Sequence, residues 1–328
     1  MNGNTINSHK TADCNKSQDN HRYIPFSQSD NAASFLLRDA YVCADDGLVE
    51  HDGILYFHFQ HYTWDLLNPE KNPAQGERKR RVFRRMAEGT VDKTQAQWLS
   101  GKYILGISPF INSYYHFICD LLPYLTQAPP WPLLIPAHLP PYYVAFLQQC
   151  GILTLTLSPH QVYRIEQLLI PMRTIPDWNE SKILVLQKYF DSLIPNKTEK
   201  PPFRRIYISR KLVRRRHLVN EESLLPLFQK YGFVRVFMEK LTIREQIMLI
   251  RETSHLITPH GAALVNVLFA HKDLRLLEIR PTLSSGQFCF EALCKFGWPG
   301  YEYIVPPQKP EFVLDIELLK NVLEQWFA

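Results

Sequence analysis

The chain lacks most of the signatures that assign a protein to a class at once. Its six cysteines, Cys14, Cys43, Cys119, Cys150, Cys289 and Cys294, are scattered. None forms a Cys-x-x-Cys pair and no histidine pair stands near them at finger spacing, which argues against a structural zinc site. Scattered thiols without a signal peptide fit a reducing compartment. The first twenty residues are polar with no apolar core, so neither a signal peptide nor an anchor is expected. No run reaches the roughly 18 apolar residues that a spanning helix needs. The predicted compartment is the cytoplasm, with attachment to the inner face of a membrane through partners left open. No Gly-x-Ser-x-Gly elbow, Walker lysine loop or His-Glu-x-x-His helix occurs, which disfavours serine hydrolases, P-loop enzymes and zincins. No Asp-x-Asp pair follows a strand in the second half, so a metal-held diphosphate is not required and no metal or cofactor is expected. Stacking aromatics interleaved with basic residues are also missing, and nucleic acid is not an expected partner.

What is present is a globular chain of 328 residues, 45% hydrophobic, with a mild formal charge of +5 whose positive residues are clustered. This length accommodates two domains with separate cores. Residues 1–30 read as a disordered leader. Residues 31–195 read as a first α/β domain with a β-rich opening segment. Its predicted strands include Tyr103–Gly106, Leu133–Pro136 and Gln167–Ile170, and its helices Tyr142–Cys150, stopped by Gly151, and Ser181–Leu193. Residues 196–203, polar and proline-rich, read as a linker. A second α/β unit follows over 204–310, and 311–328 close the chain with an amphipathic helix. Strands alternating with helices imply parallel sheets.

The stretch from His255 to Ile279 carries the most chemistry. A short apolar run ends at Pro259. A turn of small residues follows, His260-Gly261-Ala262-Ala263, then helical spacing from Leu264 to Ala270, then a second apolar run ending at Glu278. Gly261 can take backbone angles closed to other residues. The free amides and dipole of a helix N-terminus suit a phosphate, and Glu278 falls at the edge where parallel sheets bind ligands. An ordinary tight turn between strand and helix would look the same. Arg210, directly after the predicted strand Ile206–Ser209, reaches the same edge, where its guanidinium can fork two phosphate oxygens. One of Arg214, Arg215 and Arg216 is the second candidate. In the first half, His116 and Asp120 stand four apart on one helical face, a candidate base with a carboxylate behind it. A local cap or a packed surface pair is the plainer alternative. His58 and His61 read as packing residues rather than metal ligands. The basic stretch of residues 78–85 reads as a solvated face, or as contact with an anionic surface.

Taken together, these pieces resemble glycosyltransferase family 61, a group that includes bacterial capsule-type enzymes and eukaryotic xylosyl- and N-acetylglucosaminyltransferases. The matching residues, in order, run from Asn112-Ser113-Tyr114-Tyr115-His116-Phe117 to Asp120-Leu121-Leu122-Pro123. They continue with Ile206–Arg210, Arg216 with Asn220-Glu221, Gly232-Phe233, Leu241–Gln246, Pro259–Leu264, Asn266, Phe269 and Leu277-Glu278. The resemblance covers about residues 100–305. It implies two Rossmann-like domains facing across a cleft (GT-B type) and an inverting, metal-independent hexosyl- or pentosyltransferase. A nucleotide-sugar would sit on the second domain and a polysaccharide or lipid-linked glycan acceptor mostly on the first. Carried over, Ser209, Arg210, Arg216, His260, Gly261, Ala262, Ala263 and Asn266 bind the donor, with Glu278 at a ribose hydroxyl. His116 or Asp120 is the base, and Asn112 and Tyr115 meet the acceptor. Ala263 stands where the family usually has a second glycine, and residues 1–100 match nothing in the pattern. A nucleotide-sugar or glycan binder without catalysis, and a polyanion-binding module, are the competing expectations.

Overall fold

The computed structural model describes residues 23–25, 35–57, 91–108, 111–125, 128–170, 180–195, 201–213, 216–280, 288–306 and 312–328. His58, His61, the basic stretch 78–85, most of the expected linker, and Arg214 and Arg215 lie outside them. Two sheets carry the fold. The first has eight strands: β1 (Tyr23–Pro25), β2 (Phe35–Cys43), β3 (Val49–His51), β4 (Ile54–Phe57), β5 (Gln97–Leu105), β6 (Leu133–Pro136), β7 (Thr154–Leu157) and β8 (Val162–Ile170). Their order is β1-β4-β3-β2-β8-β5-β6-β7. Strands β8, β5, β6 and β7 run parallel, whereas β2, β3 and β4 pair antiparallel and join through β2 to β8. The β-rich opening segment is therefore an extension of the first sheet and makes it mixed. The short strand β1 lies inside the expected leader and pairs parallel with β4.

The second sheet is wholly parallel: β9 (Arg204–Ile208), β10 (Val234–Val236), β11 (Thr253–Pro259), β12 (Arg275–Ile279) and β13 (Gly300–Ile304), in the order β10-β9-β11-β12-β13. Parallel strands bury both faces, and β11 accordingly reads as a continuous run, with Leu256 and Ile257 fully buried. The helices begin where local chemistry starts them. Helix Ile243–Arg251 opens with a capping box, in which Thr242 Oγ1 accepts from the Glu245 amide at 3.2 Å and Glu245 Oε2 accepts from the Thr242 amide at 2.8 Å. Its residues Ile243, Ile247 and Ile250 then fall on one buried face. Helix Ile316–Phe327 is capped by Asp315 and buries Leu319, Leu323 and Trp326. Gly151 and Gly232, at φ 72° and 74°, end the helices before them in the left-handed conformation that glycine tolerates best.

Two domains with separate cores are expected from the sequence, but one apolar cluster spans both halves. It runs from Ile104, Leu133 and Ile135 of the first sheet to Ile206, Leu256 and Leu276 of the second. Helix Glu180–Leu193 contributes to it, with the Phe190 ring set edge-on to Phe269 at 4.7 Å. Arg251 clamps the same junction, donating to the Ile194 carbonyl at 2.5 Å and to Asp191 Oδ1 at 2.6 Å. The α/β class holds, and its two sheets share their packing.

Candidate active site

In the second sheet the chain winds one way from β9 to β10 and the other way from β11 through β12 to β13. Open parallel sheets bind ligands where the winding reverses, at the carboxyl ends of the two strands that flank the reversal. Here these are the ends of β9 and β11, which bear Arg210 and Gly261.

The β9 end is held by Ser209, which is buried. Its amide donates to the Val236 carbonyl at 2.8 Å, and its Oγ accepts from the Lys211 amide at 3.1 Å. Arg210 then crosses to the β11 end. A Cβ built on Gly261 would stand 1.7 Å from Arg210 Nη1 and 2.5 Å from its Cζ, so the guanidinium lies directly on the glycine. Gly261 itself is extended, at φ 169° and ψ 179°, a conformation open to any residue. The expectation that this glycine serves unusual backbone angles is corrected: it serves close approach. The following helix, Ala262–Phe269, is a 3-10 helix where α-helical spacing is expected, and Leu264 to Phe269 are buried on all sides. Ala262 and Ala263 start it half-buried, and the first amides of a helix have no carbonyl behind them. Arg216 is exposed and holds the left-handed conformation, at φ 59°, that non-glycine residues seldom adopt. Burial draws the Arg210 guanidinium below its ordinary pKa; the Arg216 charge acts in the same direction, and Glu239 opposes it. An arginine stays cationic regardless. The Arg210 guanidinium thus lies on Gly261, one residue before the helix start at Ala262, within the field of the Arg216 charge.

Glu278 departs from expectation. Predicted to face a ribose hydroxyl, it is fully buried with both carboxylate oxygens engaged. Oε1 meets His260 Nδ1 at 2.5 Å, and Oε2 accepts from the Tyr301 hydroxyl at 2.6 Å and from Arg280 Nε at 3.0 Å. Arg280 also donates to Glu291 Oε2 at 3.1 Å and to the Tyr301 hydroxyl, and its guanidinium lies 3.9 Å from the Tyr303 ring centre. Burial pushes the Glu278 carboxyl up, but the bonds from His260 and Tyr301 and the Arg280 charge outweigh it and hold the group below the usual carboxylate range. Glu278 thus anchors His260, whose amide bonds the Ile279 carbonyl at 2.8 Å, and so fixes the residue before Gly261.

Asn266 is likewise buried rather than turned to a ligand. Its Nδ2 donates to the Ala263 carbonyl and to Gln246 Oε1, each at 3.1 Å, and its Oδ1 accepts from the Tyr114 hydroxyl at 2.7 Å. That last bond joins the cradle to the helical stretch of residues 114–125 in the first half. This stretch changes winding: Tyr114–His116 and Leu122–Leu125 are α-helical, and Phe117–Leu121 is a π-helical insert. Pro123 has no amide to give the Cys119 carbonyl, which favours such a break, and π inserts recur at functional sites. His116 and Asp120 pair across the insert through Nδ1 and Oδ2, both partly accessible. Tyr115 sets its ring edge-on to the His116 imidazole at 5.4 Å. Asn112, on the turn before the helix, has a buried Oδ1 with no hydrogen-bond partner among the described residues. Its carbonyl accepts from the Tyr143 hydroxyl at 3.4 Å.

The geometry therefore brings Arg210 onto Gly261, with the Arg216 charge in its field, and sets His116, Asp120 and Tyr115 together in another place. Asn266 becomes the connection between them, and His260 and Glu278 become support. Tyr114, Gln246, Arg280 and Tyr301 escape the sequence reading as site residues. Only Tyr114 and Gln246 carry a signal there, as members of the matched motifs. No helix among the described residues is long and apolar enough to cross a membrane. No curated protein matches the chain. A family model described as Glycosyltransferase 61 matches residues 114–277, half of the chain, from Tyr114 on the helix of His116 to the residue before Glu278. The chain belongs to that family and is a glycosyltransferase.

Proposed function

We propose that the enzyme moves a hexosyl or pentosyl group, with inversion and without a metal ion, from a nucleoside diphosphate sugar to a polysaccharide or lipid-linked glycan. We place it in the cytoplasm, at the inner face of the membrane where its acceptor is membrane-bound, in synthesis of the bacterial capsular type. The carrying observation is the Arg210 guanidinium lying on Gly261 at the reversal of the second sheet, with the Arg216 charge beside it. The diphosphate takes its hydrogen bonds from Arg210, Arg216 and the amides of Gly261, Ala262 and Ala263. These groups supply the positive charge that a divalent cation supplies in other transferases. The first half, as the acceptor side of a GT-B arrangement, offers Asn112 and Tyr115 beside the base.

The reaction needs one base and a stabilised leaving group. The acceptor hydroxyl oxygen bonds to the anomeric carbon from the face opposite the diphosphate. The bond from that carbon to the diphosphate oxygen breaks, and its electron pair leaves with the diphosphate. The hydroxyl proton passes to the His116 imidazole, and the Asp120 carboxylate stabilises the resulting cation. Asp120 takes the proton itself if His116 only orients the acceptor. The His116–Asp120 pair supports catalysis over a donor-binding protein without turnover.

Calorimetry against UDP, GDP and CDP, with and without EDTA, tests the donor site. One diphosphate should bind equally well in both conditions, and Arg210→Ala should weaken that binding by about 10- to 100-fold. His116→Ala should keep that affinity and lower turnover of the matching sugar nucleotide by roughly 10²–10⁴-fold. No binding of any diphosphate by folded protein sinks the proposal, and a polyanion-binding module becomes the reading to pursue.

A further inference from the structure

A polar chain inside the apolar core ties three parts of the site together. Tyr114, two residues before His116, donates its hydroxyl to Asn266 Oδ1 at 2.7 Å. Asn266 Nδ2 donates to the Ala263 carbonyl in the first turn after Gly261, and to Gln246 Oε1. Gln246 Nε2 in turn donates to the carbonyls of Met238, at 3.0 Å, and Leu241, at 3.2 Å. Those two carbonyls bracket the short segment after β10 that carries Glu239, the acid whose field reaches Arg210. Asn266 is fully buried and Gln246 nearly so. The alternative to each of these bonds is a polar group stranded in hydrocarbon, so the arrangement has one low-energy register.

We propose that Tyr114, Asn266 and Gln246 are positioning residues that set the distance and angle between the His116 base and the diphosphate cradle. Apolar packing alone would let a helix slide over its neighbour by fractions of an ångström at little cost, because dispersion and burial have no direction. The Tyr114–Asn266 bond is directional, and it lies one helical half-turn from His116 on one side and one turn from Ala263 on the other. Its oxygen-to-oxygen length fixes the helix of the first half to the cradle of the second, where transfer demands that acceptor oxygen, anomeric carbon and leaving oxygen stand in line. The inference rests on the reading of His116 as base and of the Gly261 cradle as donor site.

Tyr114→Phe keeps the ring, which lies 6.4 Å from Tyr143 between ring centres, and removes only the hydroxyl. The test uses the full chain and the diphosphate that wild type binds most tightly among UDP, GDP and CDP. It measures the Kd for that diphosphate, and kcat and donor KM for its release from UDP-N-acetylglucosamine, UDP-xylose, GDP-mannose or the corresponding CDP-sugar. The expected result is unchanged Kd and KM with kcat reduced about 10- to 100-fold, the penalty of misplaced reacting groups. Asn266→Asp retains the acceptor for Tyr114 and removes the donor to Ala263 and Gln246. It should leave the base in place and weaken the diphosphate Kd instead. Wild-type kcat in a folded Tyr114→Phe protein overturns the inference, as does an equal loss in kcat and diphosphate affinity. A wild type that binds diphosphate yet never turns over its sugar conjugate refutes the reading of the base, a separate failure.

Discussion

Gly261→Ala separates the two reasons a glycine can stand at a ligand cradle. If the backbone needed a left-handed angle, alanine would cost roughly 1–2 kcal/mol of stability. At φ 169° and ψ 179° it needs none, so alanine fits the backbone without strain. The new methyl would lie 1.7 Å from Arg210 Nη1, and ordinary contact requires about 3.6 Å, so the guanidinium must retreat by about 2 Å. A long, flexible side chain moves that far at small energetic cost, and the thermal midpoint should hold within about 2 °C. Diphosphate binding should suffer, because a charge-assisted hydrogen bond contributes about 1.5–3 kcal/mol and a 2 Å displacement removes it. That corresponds to a loss of about 10- to 100-fold in Kd. The assay is calorimetric titration with the preferred nucleoside diphosphate beside a thermal melt. The double variant Gly261→Ala/Arg210→Ala should bind no worse than Arg210→Ala alone, since the glycine acts through the arginine. Wild-type affinity in folded Gly261→Ala, or strictly additive losses in the double variant, refutes the reasoning.

The buried carboxylate network makes a second prediction: Glu278→Gln takes from Arg280 its fully buried charge partner, leaving the partly exposed Glu291, and should cost about 3–5 kcal/mol, read as a drop in urea midpoint. If the midpoint is unmoved, Glu278 is not the anchor of His260. A third concerns acid stability. Burial, then the nearby charges of Arg205 and Arg275, bring the His255 pKa down from 6.5 to about 4. Between those values the unfolded chain binds a proton that the folded chain refuses, so stability falls as pH drops from 6.5 toward 4. Partial solvent screening leaves a term on the order of 1–2 kcal/mol. His255→Phe, which keeps a ring against Phe327 as the tilted imidazole is at 4.9 Å, should flatten that slope in melts across the interval, and an unchanged slope would assign the acid loss elsewhere.

How far the sequence discloses this site depends on whether the governing interaction is local. The Ile206–Ser209 strand with Arg210 behind it and the helix stop at Gly151 are set by neighbours within a few residues, and each is legible. The closing helix is legible for the same reason, from its i, i+3, i+4 pattern. Burial partners are not local. Glu278 stands at a strand end in both sequence and structure, yet its surroundings are Tyr301 on the next strand and Arg280 two residues on, whose side chain folds back to it. Nothing in the run Leu277-Glu278-Ile279 distinguishes a carboxylate facing a ribose from one facing an arginine. The partner of Asn266 is hidden likewise, because Tyr114 lies 152 residues away. The opening strands join the first sheet by antiparallel pairing with β8, also invisible to periodicity, since alternation is the same whichever strand lies alongside.

The same distinction explains why this site is assembled as it is. On the proposed reading, groups that touch a diphosphate must sit at the open edge of the sheet, where few neighbours restrain them; Arg216, one of them, is exposed with a seldom-used backbone conformation. Restraint has to come from behind. The fold supplies it with two buried polar systems: Glu278 with Arg280 and Tyr301 behind His260, and Asn266 with Gln246 and Tyr114 behind Ala263. The first holds the turn at Gly261 to its own sheet, and the second ties Ala263 to the helix of His116. A network with directional bonds costs stability relative to apolar packing of equal volume when any member is lost, but it admits one register, which sliding apolar surfaces do not. Single-residue losses in either system should therefore act on different observables. Damage to the Glu278 system lowers folding stability first. Damage at the Tyr114 hydroxyl leaves a folded, donor-binding protein whose transfer step is slow.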